Sequence, residues 1–251
     1  MNKKATGGFP PDAFDELSKQ EDSSWWFFSR NKIIIWAVKK YAHNFKDFLE
    51  IGCGTGFVLQ AIDKAFPNNN LSGNEYFEEG LEHAKKRLPY SSFQCLDATE
   101  MEDHSRYDAI GAFDVIEHIE DDNLVLLKCC QALKEEGILF LTVPQHMQLW
   151  STLDEQTFHV RRYSCAELKQ KVEHAGFKII TSTSFVSFLV PLMWISRKTM
   201  SNKASASKEE LQPSLLLNFC FKAIMQVEII LIKLGIRFPI GGSLLLVAKK
   251  Q

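Results

Sequence analysis

The feature that most constrains this chain is a short apolar segment that runs directly into a glycine-rich turn. Residues 48–51 read Phe-Leu-Glu-Ile, and residues 52–56 read Gly-Cys-Gly-Thr-Gly. A buried strand that opens through such a turn into a helix brings backbone N–H groups close to a bound ligand. Doubly wound α/β sheets bind nucleotide-like ligands in this way, so the segment predicts that fold class.

Strands and helices alternate through the middle of the chain. Apolar runs predict strands at 47–52, 71–76, 91–96, 107–113 and 137–143, and helical patterns lie between them at 56–66, 77–87 and 121–135. A helix near 164–175, a strand near 177–186 and a last strand at 243–248 follow. Such alternation predicts a mostly parallel sheet covered on both faces, because right-handed crossovers place helices on each side. We predict an α/β core over residues 47–186, completed by the final strand within 241–251.

Composition predicts one main globular domain in a reducing compartment. The 251 residues are 45% hydrophobic and 24% charged, which is typical of a soluble core. Six cysteines occur without a CxxC pair, so they resemble reduced packing residues. The first twenty-four residues carry no apolar signal core and are predicted to form a loose arm. We therefore expect a cytoplasmic protein.

Charge is divided unevenly along the chain. Residues 1–160 contain 15 Lys/Arg and 26 Asp/Glu, whereas residues 161–251 contain 14 and 5. A basic C-terminal part favours an anionic substrate or an anionic membrane surface, and the acidic remainder argues against nucleic-acid binding. A dipolar surface charge without a functional role is the equally good alternative.

An insertion at residues 187–240 separates the last two strands. It contains an apolar run from Phe185 to Ile195, which begins at the end of the preceding strand, and a predicted helix from Ser214 to Leu234. Polar residues of that helix recur in one stripe, which predicts burial of the rest of its surface; they are Asn218, Lys222, Gln226 and Lys233. The first run is too short and the second too charged for a convincing membrane span. An extra helical layer, a lid, a homodimer interface and a peripheral membrane anchor remain open.

Residues 1–46 are predicted to form an N-terminal arm and a cap helix. Four adjacent aromatic residues occupy positions 25–28, just before an amphipathic helix from Lys32 to Tyr41. They provide a rigid apolar surface that either covers a substrate pocket or packs against the sheet.

Two acidic residues follow the second and third predicted strands. Glu75 lies nineteen residues beyond Gly56, where a carboxylate accepts hydrogen bonds from both hydroxyls of a ribose. Asp97 and Ala98 follow the third strand, where an acid and backbone N–H groups would meet an adenine edge. The two positions predict a cofactor with an adenosine part.

Taken in order, these motifs resemble those of class I S-adenosylmethionine-dependent methyltransferases: LEIGCGTG at 49–56, Glu75, LDA at 96–98 and FDVIEH at 113–118. A nicotinamide enzyme more often shows GxGxxG, and the third glycine here comes one residue too early. The resemblance implies S-adenosylmethionine as cofactor and a seven-stranded sheet whose last strand is antiparallel beside the sixth. It implies cofactor contacts from Glu50, Gly52, Cys53, Gly54, Gly56, Glu75, Asp97, Ala98 and Asp114.

Methyl transfer requires alignment of donor and acceptor, and a base only when the acceptor must lose a proton. His118 follows the fourth strand, while His146 and His159 lie in the long loop at 144–162; all three are candidate bases. Arg161 and Arg162 in the same region are candidates for binding a carboxylate or a phosphate.

A metal ion is a weaker alternative at the fourth strand. Asp114, Glu117 and His118 form D-x-x-E-H, which is similar to the E-x-x-E-H segment of ubiquinone-biosynthesis O-methyltransferases, where such residues can bind a divalent metal. Ligands rich in oxygen suit magnesium. Aspartate replaces the first glutamate here, and its shorter side chain weakens the comparison.

The sequence therefore favours a methyltransferase that acts on a small-molecule or lipid-linked acceptor, at oxygen, with an anionic acceptor favoured by the basic C-terminal part. The alternative is a non-catalytic protein that binds S-adenosylmethionine or serves as a membrane-associated partner.

Overall fold

The computed structural model describes residues 13–200 and 213–251, with every side chain except those of residues 198–200. Its strands are β1 Asp47–Ile51, β2 Asn70–Glu75, β3 Ser92–Cys95, β4 Tyr107–Phe113, β5 Leu133–Pro144, β6 Phe177–Phe185 and β7 Ser243–Lys250. The described helices are α1 Phe14–Gln20, α2 Trp25–Tyr41, α3 Phe57–Ala65, α4 Glu78–Arg87, α5 Asp122–Ala132, α6 Thr152–Gln156, α7 Cys165–His174, α8 Val190–Met200 and α9 Leu215–Lys233.

The seven strands form one sheet in the order β3-β2-β1-β4-β5-β7-β6. All neighbouring pairs are parallel except those of β7, which is antiparallel to both β5 and β6. The predicted doubly wound fold and its antiparallel last strand are confirmed. Strand order reverses between β1 and β4, and ligands of such sheets bind beyond the carboxyl ends of strands at this point.

Helices cover both faces of the sheet, and β7 shows how the two cores are separated. Leu245 and Val247 face a cluster that includes side chains of α2, α3 and α9. Leu244 and Leu246 face a second cluster with α5 and α7. Because successive strand side chains point to opposite faces, an uninterrupted apolar strand is the pattern that a sheet buried on both sides requires.

The helix predicted at 121–135 is too long. It ends at Ala132, and the chain continues directly into β5, where Leu133 is fully buried and pairs with Tyr107 of β4. The next three residues, Lys-Glu-Glu, favour helix in isolation, and this propensity caused the error. Pairing with β4 overrides it.

The N-terminal segment is not a loose arm where the structure describes it. Phe14 of α1 is only 3% exposed. Glu21, which directly follows α1, accepts hydrogen bonds from Thr55 Oγ1 at 2.6 Å and from Arg87 at 2.7 Å. Helix α2 begins at Trp25, seven residues earlier than predicted, so the four aromatic residues belong to the helix itself. Residues 1–12 lie outside the described part.

The burial predicted for the last helix holds for one side only. The polar stripe exists, yet Leu215, Leu216 and Phe219 of α9 are 90%, 73% and 70% exposed. The other side of α9 is buried through Met225, Ile229 and Ile232. These residues belong to the same core cluster as Leu245 and Val247 of β7, as expected for an extra helical layer on the sheet.

Candidate active site

The glycine-rich turn leads from β1 into α3 through three residues with positive φ. Gly52, Gly54 and Gly56 have φ of 62°, 51° and 76°, a backbone region that residues other than glycine rarely adopt. A Cβ atom at Gly52 would lie 2.6 Å from Val115 Cγ2. The Gly52 N–H also donates to Asn74 Oδ1 at 3.2 Å, so the turn is held against the end of β2.

Glu75 closes the turn from the end of β2. Its Oε2 accepts from the Gly54 N–H at 2.9 Å and its Oε1 from the Phe77 N–H at 3.1 Å. Burial raises the pKa of Glu75, and these two N–H groups oppose that shift. Asp97 is held similarly, since its Oδ1 accepts from the Thr99 N–H at 2.9 Å. Both carboxylates line one large cavity with Cys53 and Ala98.

Glu50 lies deeper in the same cavity and has unsatisfied hydrogen-bonding capacity. It is 3% exposed, and its Oε2 has no partner among the residues that the structure describes. Burial raises the pKa of Glu50 well above its ordinary value, an effect that Arg30 opposes. A buried acceptor beside a cavity suits the ammonium group of an amino-acid moiety. Together with Glu75 and Asp97, which were predicted to contact ribose and adenine, the residues present fit S-adenosylmethionine.

Asp114 forms an ion pair with Arg30, a residue that no sequence motif pointed to. Arg30 of α2 donates from its NH1 nitrogen to Asp114 Oδ2 at 2.7 Å, and both side chains are largely buried. Asp114 has φ of 58°, so the end of β4 turns sharply at this contact. The only sequence signal for Arg30 was its place after the aromatic cluster, in a helix expected to cover the pocket.

The cavity is larger than one cofactor needs. Its volume is 1650 Å³, whereas pockets for a drug-sized ligand occupy about 300–1,000 Å³. Part of the cavity is lined by apolar side chains from α2, α8 and α9, and we call this part its apolar end: Trp25, Trp26, Leu192, Met193, Leu217 and Phe221. The site therefore has room for a second, apolar ligand beside the cofactor.

Two of the three candidate bases meet in the cavity. The rings of His118 and His159 lie edge to face with centroids 4.7 Å apart, and both line the cavity. His159 Nδ1 contacts Asp154 Oδ1 at 2.8 Å, which leaves Nε2 as the ring nitrogen available to a ligand. Arg162 binds both oxygens of Asp154, at 2.7 and 3.0 Å. Burial would raise the pKa of Asp154, but hydrogen bonds from His159 and Arg162 hold it below its ordinary value.

The other candidate residues of the loop are His146, Arg161 and Arg162. His146 is absent from the cavity lining described here, so its prediction as a base is not supported by position. Arg162 is engaged by Asp154, and Arg161 contacts Asp122 at 2.8 Å. Arg162 lines the cavity, but both guanidinium groups already have a carboxylate partner, so binding of an anionic acceptor by this arginine pair stays a prediction.

The metal set suggested by D-x-x-E-H is altered by the fold. Candidate ligand atoms of Glu117, His118 and His159 all lie within 4.8 Å of one another. Asp114 instead pairs with Arg30. Two imidazoles and one carboxylate form a set richer in nitrogen than the one predicted, and such a set suits zinc better than magnesium.

The pKa of His118 predicts a pH dependence of stability. Burial, assisted by the neighbouring His159, lowers this pKa to about 4. The unfolded chain takes up this proton near the ordinary value of about 6.5, so falling pH between these limits favours unfolding. We expect the wild type to lose stability relative to His118→Gln as the pH falls through this window. Urea unfolding of both proteins at several pH values measures the difference, and parallel stability curves would contradict the expectation.

Comparison with known proteins agrees with this geometry. A family model described as a methyltransferase domain matches residues 26–182. A protein named "Probable S-adenosylmethionine-dependent methyltransferase" from Mycolicibacterium smegmatis is 27% identical over 164 residues, covering 63% of this chain and 61% of its own. Malonyl-[acyl-carrier protein] O-methyltransferase from Acetivibrio thermocellus is 28% identical over 129 residues, 51% of this chain and 43% of its own. The chain thus spans 43–61% of the length of these relatives.

Solved structures share the fold at lower identity. A SAM-dependent methyltransferase from Thermotoga maritima superposes with a TM-score of 0.60 at 17% identity, covering 95% of this chain and 98% of its own. Phosphoethanolamine N-methyltransferase 2 from Haemonchus contortus, in complex with S-adenosyl-L-methionine, gives 0.58 at 16% identity, covering 85% and 51%. The resemblance to the ubiquinone branch stays a prediction. Because the family model covers more than half of the residues, this chain belongs to the S-adenosylmethionine-dependent methyltransferases.

Proposed function

We propose that the protein transfers a methyl group from S-adenosylmethionine to an oxygen atom of a small or lipid-linked acceptor that carries an apolar chain. The observation that carries this proposal is one continuous cavity, which joins the acidic residues Glu50 and Glu75 to an apolar end. His159 lines the same cavity and is oriented by Asp154, as a general base should be.

One group of side chains binds the cofactor and the acceptor, and His159 accepts the proton. When bound, S-adenosylmethionine supplies an electrophilic methyl group for in-line displacement by the acceptor oxygen. Glu50, Glu75 and Asp97 hold the cofactor, and the apolar end positions the acceptor. His159 Nε2 accepts the hydroxyl proton, while Asp154 keeps the proton of the neutral ring on Nδ1 and stabilises the imidazolium that forms. A carboxylate acceptor needs no base, and then His159 only orients it.

A relative supports oxygen as the acceptor atom. The Acetivibrio thermocellus protein is named an O-methyltransferase of malonyl-[acyl-carrier protein], an acyl group attached to a carrier. An acceptor with an acyl or alkyl chain also agrees with the apolar end of the cavity, because burial of each methylene contributes about 0.8 kcal/mol. Part of the binding free energy would thus come from a region remote from the reacting atom.

The test uses the purified full chain, methyl-labelled S-adenosylmethionine and matched acceptors. A long-chain alcohol, carboxylic acid and amine of equal length are compared with their short-chain counterparts. We expect label in the long-chain alcohol or acid, with much less in the short one, and mild alkaline hydrolysis distinguishes an ester from an ether. Preferred labelling of the amine would refute oxygen transfer. Calorimetric binding of the cofactor without transfer to any member or to a lipid extract would favour the non-catalytic alternative.

A further inference from the structure

The outward face of α9 is apolar along its whole length. Its positions recur at spacings of four and three residues: Leu216, Cys220, Ala223, Val227, Ile230 and Leu234. Val227 and Ile230 are 54% and 55% exposed, and Leu216 and Leu234 are more exposed still. Monomeric soluble proteins seldom expose an unbroken apolar stripe of this size, which usually marks an interaction surface.

Three of the four polar-stripe residues of α9 attach the helix to neighbouring segments of the protein. Asn218 Oδ1 accepts from the Trp25 N–H at 2.8 Å, and its amide nitrogen donates to the Ser23 carbonyl at 2.9 Å. Lys222 donates to the same carbonyl at 2.8 Å. One turn further along, Gln226 accepts from Lys32 at 2.6 Å. The helix therefore has two apolar sides, one buried against the core and one exposed, whereas an ordinary surface helix exposes a polar side.

These hydrogen bonds hold α9 against the rest of the protein. They therefore favour a helix that lies flat on a membrane surface over one that crosses the membrane. By length and composition alone, α9 is long and apolar enough to span a bilayer. However, its Glu228 is fully buried and accepts from the Ser187 and Phe188 N–H groups at 2.9 and 3.0 Å. A spanning position would break these bonds and leave a carboxyl group in hydrocarbon, which is costly.

The described charged side chains of residues 187–240 are basic with one exception. The basic ones are Arg197, Lys222, Lys233 and Arg237. Glu228 is the sole acidic residue in that described part, and it is buried. Lys233 and Arg237 lie at the C-terminal end of the apolar stripe and are exposed. An apolar face bordered by cations complements a surface of anionic lipids.

The apolar surface continues into the mouth of the active-site cavity. Leu192 and Ile195 of α8 and Leu217 of α9 line the cavity, and each is about half exposed. A molecule in contact with the outer face of α9 is therefore adjacent to the apolar end of the cavity.

We propose that the outward face of α9, with the neighbouring exposed residues of α8, docks onto an anionic lipid surface and lies in its interface. Lys233 and Arg237 then contact lipid phosphates, and the cavity opens toward the bilayer. A second copy of the chain fits this face less well, because the described part of residues 187–240 offers Lys233 and Arg237 no exposed acidic partner, whereas lipid phosphates do. Docking does not depend on the chemistry proposed above, since it requires neither cofactor nor turnover.

Vesicle co-sedimentation of the full chain tests the proposal. Vesicles of phosphatidylcholine alone are compared with vesicles that also contain phosphatidylglycerol. The double variant Leu216→Gln/Ile230→Gln removes two outward side chains, and Lys233→Gln/Arg237→Gln removes the cations. Leu127→Gln is the matched control, because Leu127 is exposed on α5. Calorimetry with S-adenosylmethionine verifies that each variant retains its fold and cofactor site.

We expect the wild type and the control to bind phosphatidylglycerol vesicles at least tenfold more tightly than neutral vesicles, with less binding at high salt. Each double variant should lose at least tenfold in affinity for the anionic vesicles while cofactor affinity is unchanged. Equal sedimentation of wild type and Leu216→Gln/Ile230→Gln would overturn the proposal. So would a stable wild-type dimer, detected by analytical ultracentrifugation without vesicles, that the same variant dissociates.

Discussion

His159→Gln is expected to lower kcat about 10²–10³-fold for a hydroxyl acceptor, because loss of a positioned general base usually costs that much. The amide keeps the approximate size of the ring and removes the basic nitrogen. Asp154→Asn should act in the same direction, since an amide no longer restricts His159 to one tautomer. Initial rates with labelled cofactor provide kcat, and calorimetry provides the cofactor Kd, which should stay within about twofold of wild type.

The control for this prediction is His104→Gln, because His104 is exposed and outside the described cavity lining. A carboxylate acceptor adds a readout that a purely structural role would not change: because such an acceptor needs no base, its kcat should fall much less in His159→Gln than the kcat for a hydroxyl acceptor. An unchanged kcat for His159→Gln would remove the residue from the mechanism. A parallel loss of cofactor affinity would show instead that the substitution disturbs the whole cavity.

Glu75→Ala is expected to weaken S-adenosylmethionine binding about 10–100-fold. Hydrogen bonds to a charged group contribute about 1.5–3 kcal/mol, and the carboxylate also holds the glycine turn through Gly54. Glu75→Gln keeps one carbonyl acceptor and should give an intermediate Kd. Calorimetric titration with the cofactor and its demethylated product measures both variants.

Glu79→Ala serves as the matched control, because Glu79 is an exposed glutamate on α4, four residues away. Its cofactor affinity should equal that of the wild type. If Glu75→Ala also binds normally, the ribose assignment is wrong and the acid has only a structural role.

Local pattern was sufficient to predict much of the cofactor half of the site. β1, the turn from Gly52 to Gly56 and Glu75 are close in sequence, and each is recognisable from strand periodicity or from the conformational freedom of glycine. Parallel strands bring their carboxyl ends to one edge of the sheet, so the acids after β2 and β3 were expected at that edge. All of them line the cavity.

The acceptor half depended on contacts between distant segments. Arg30 and Asp114 are 84 residues apart, and Arg162 reaches Asp154 only because the loop after β5 folds back on itself. Nothing in the spacing of histidines distinguishes His146 from His159, yet the fold leaves the first outside the described cavity lining and places the second beside His118. Sequence periodicity carries no information about such contacts between side chains of different segments.

The sequence by itself determined the fold class, the strand that opens into the glycine turn, the acids after β2 and β3 and the polar stripe of α9, because these follow from local periodicity and residue chemistry. Tertiary structure alone decided which of the candidate histidines line the cavity and which side of α9 is buried. The reason is physical: α9 packs on the core through Met225, Ile229 and Ile232, while Ser23 and Lys32 bind residues of its polar stripe, and the remaining apolar side is left exposed. A helical pattern specifies two faces, but only the packed neighbours determine which one is buried.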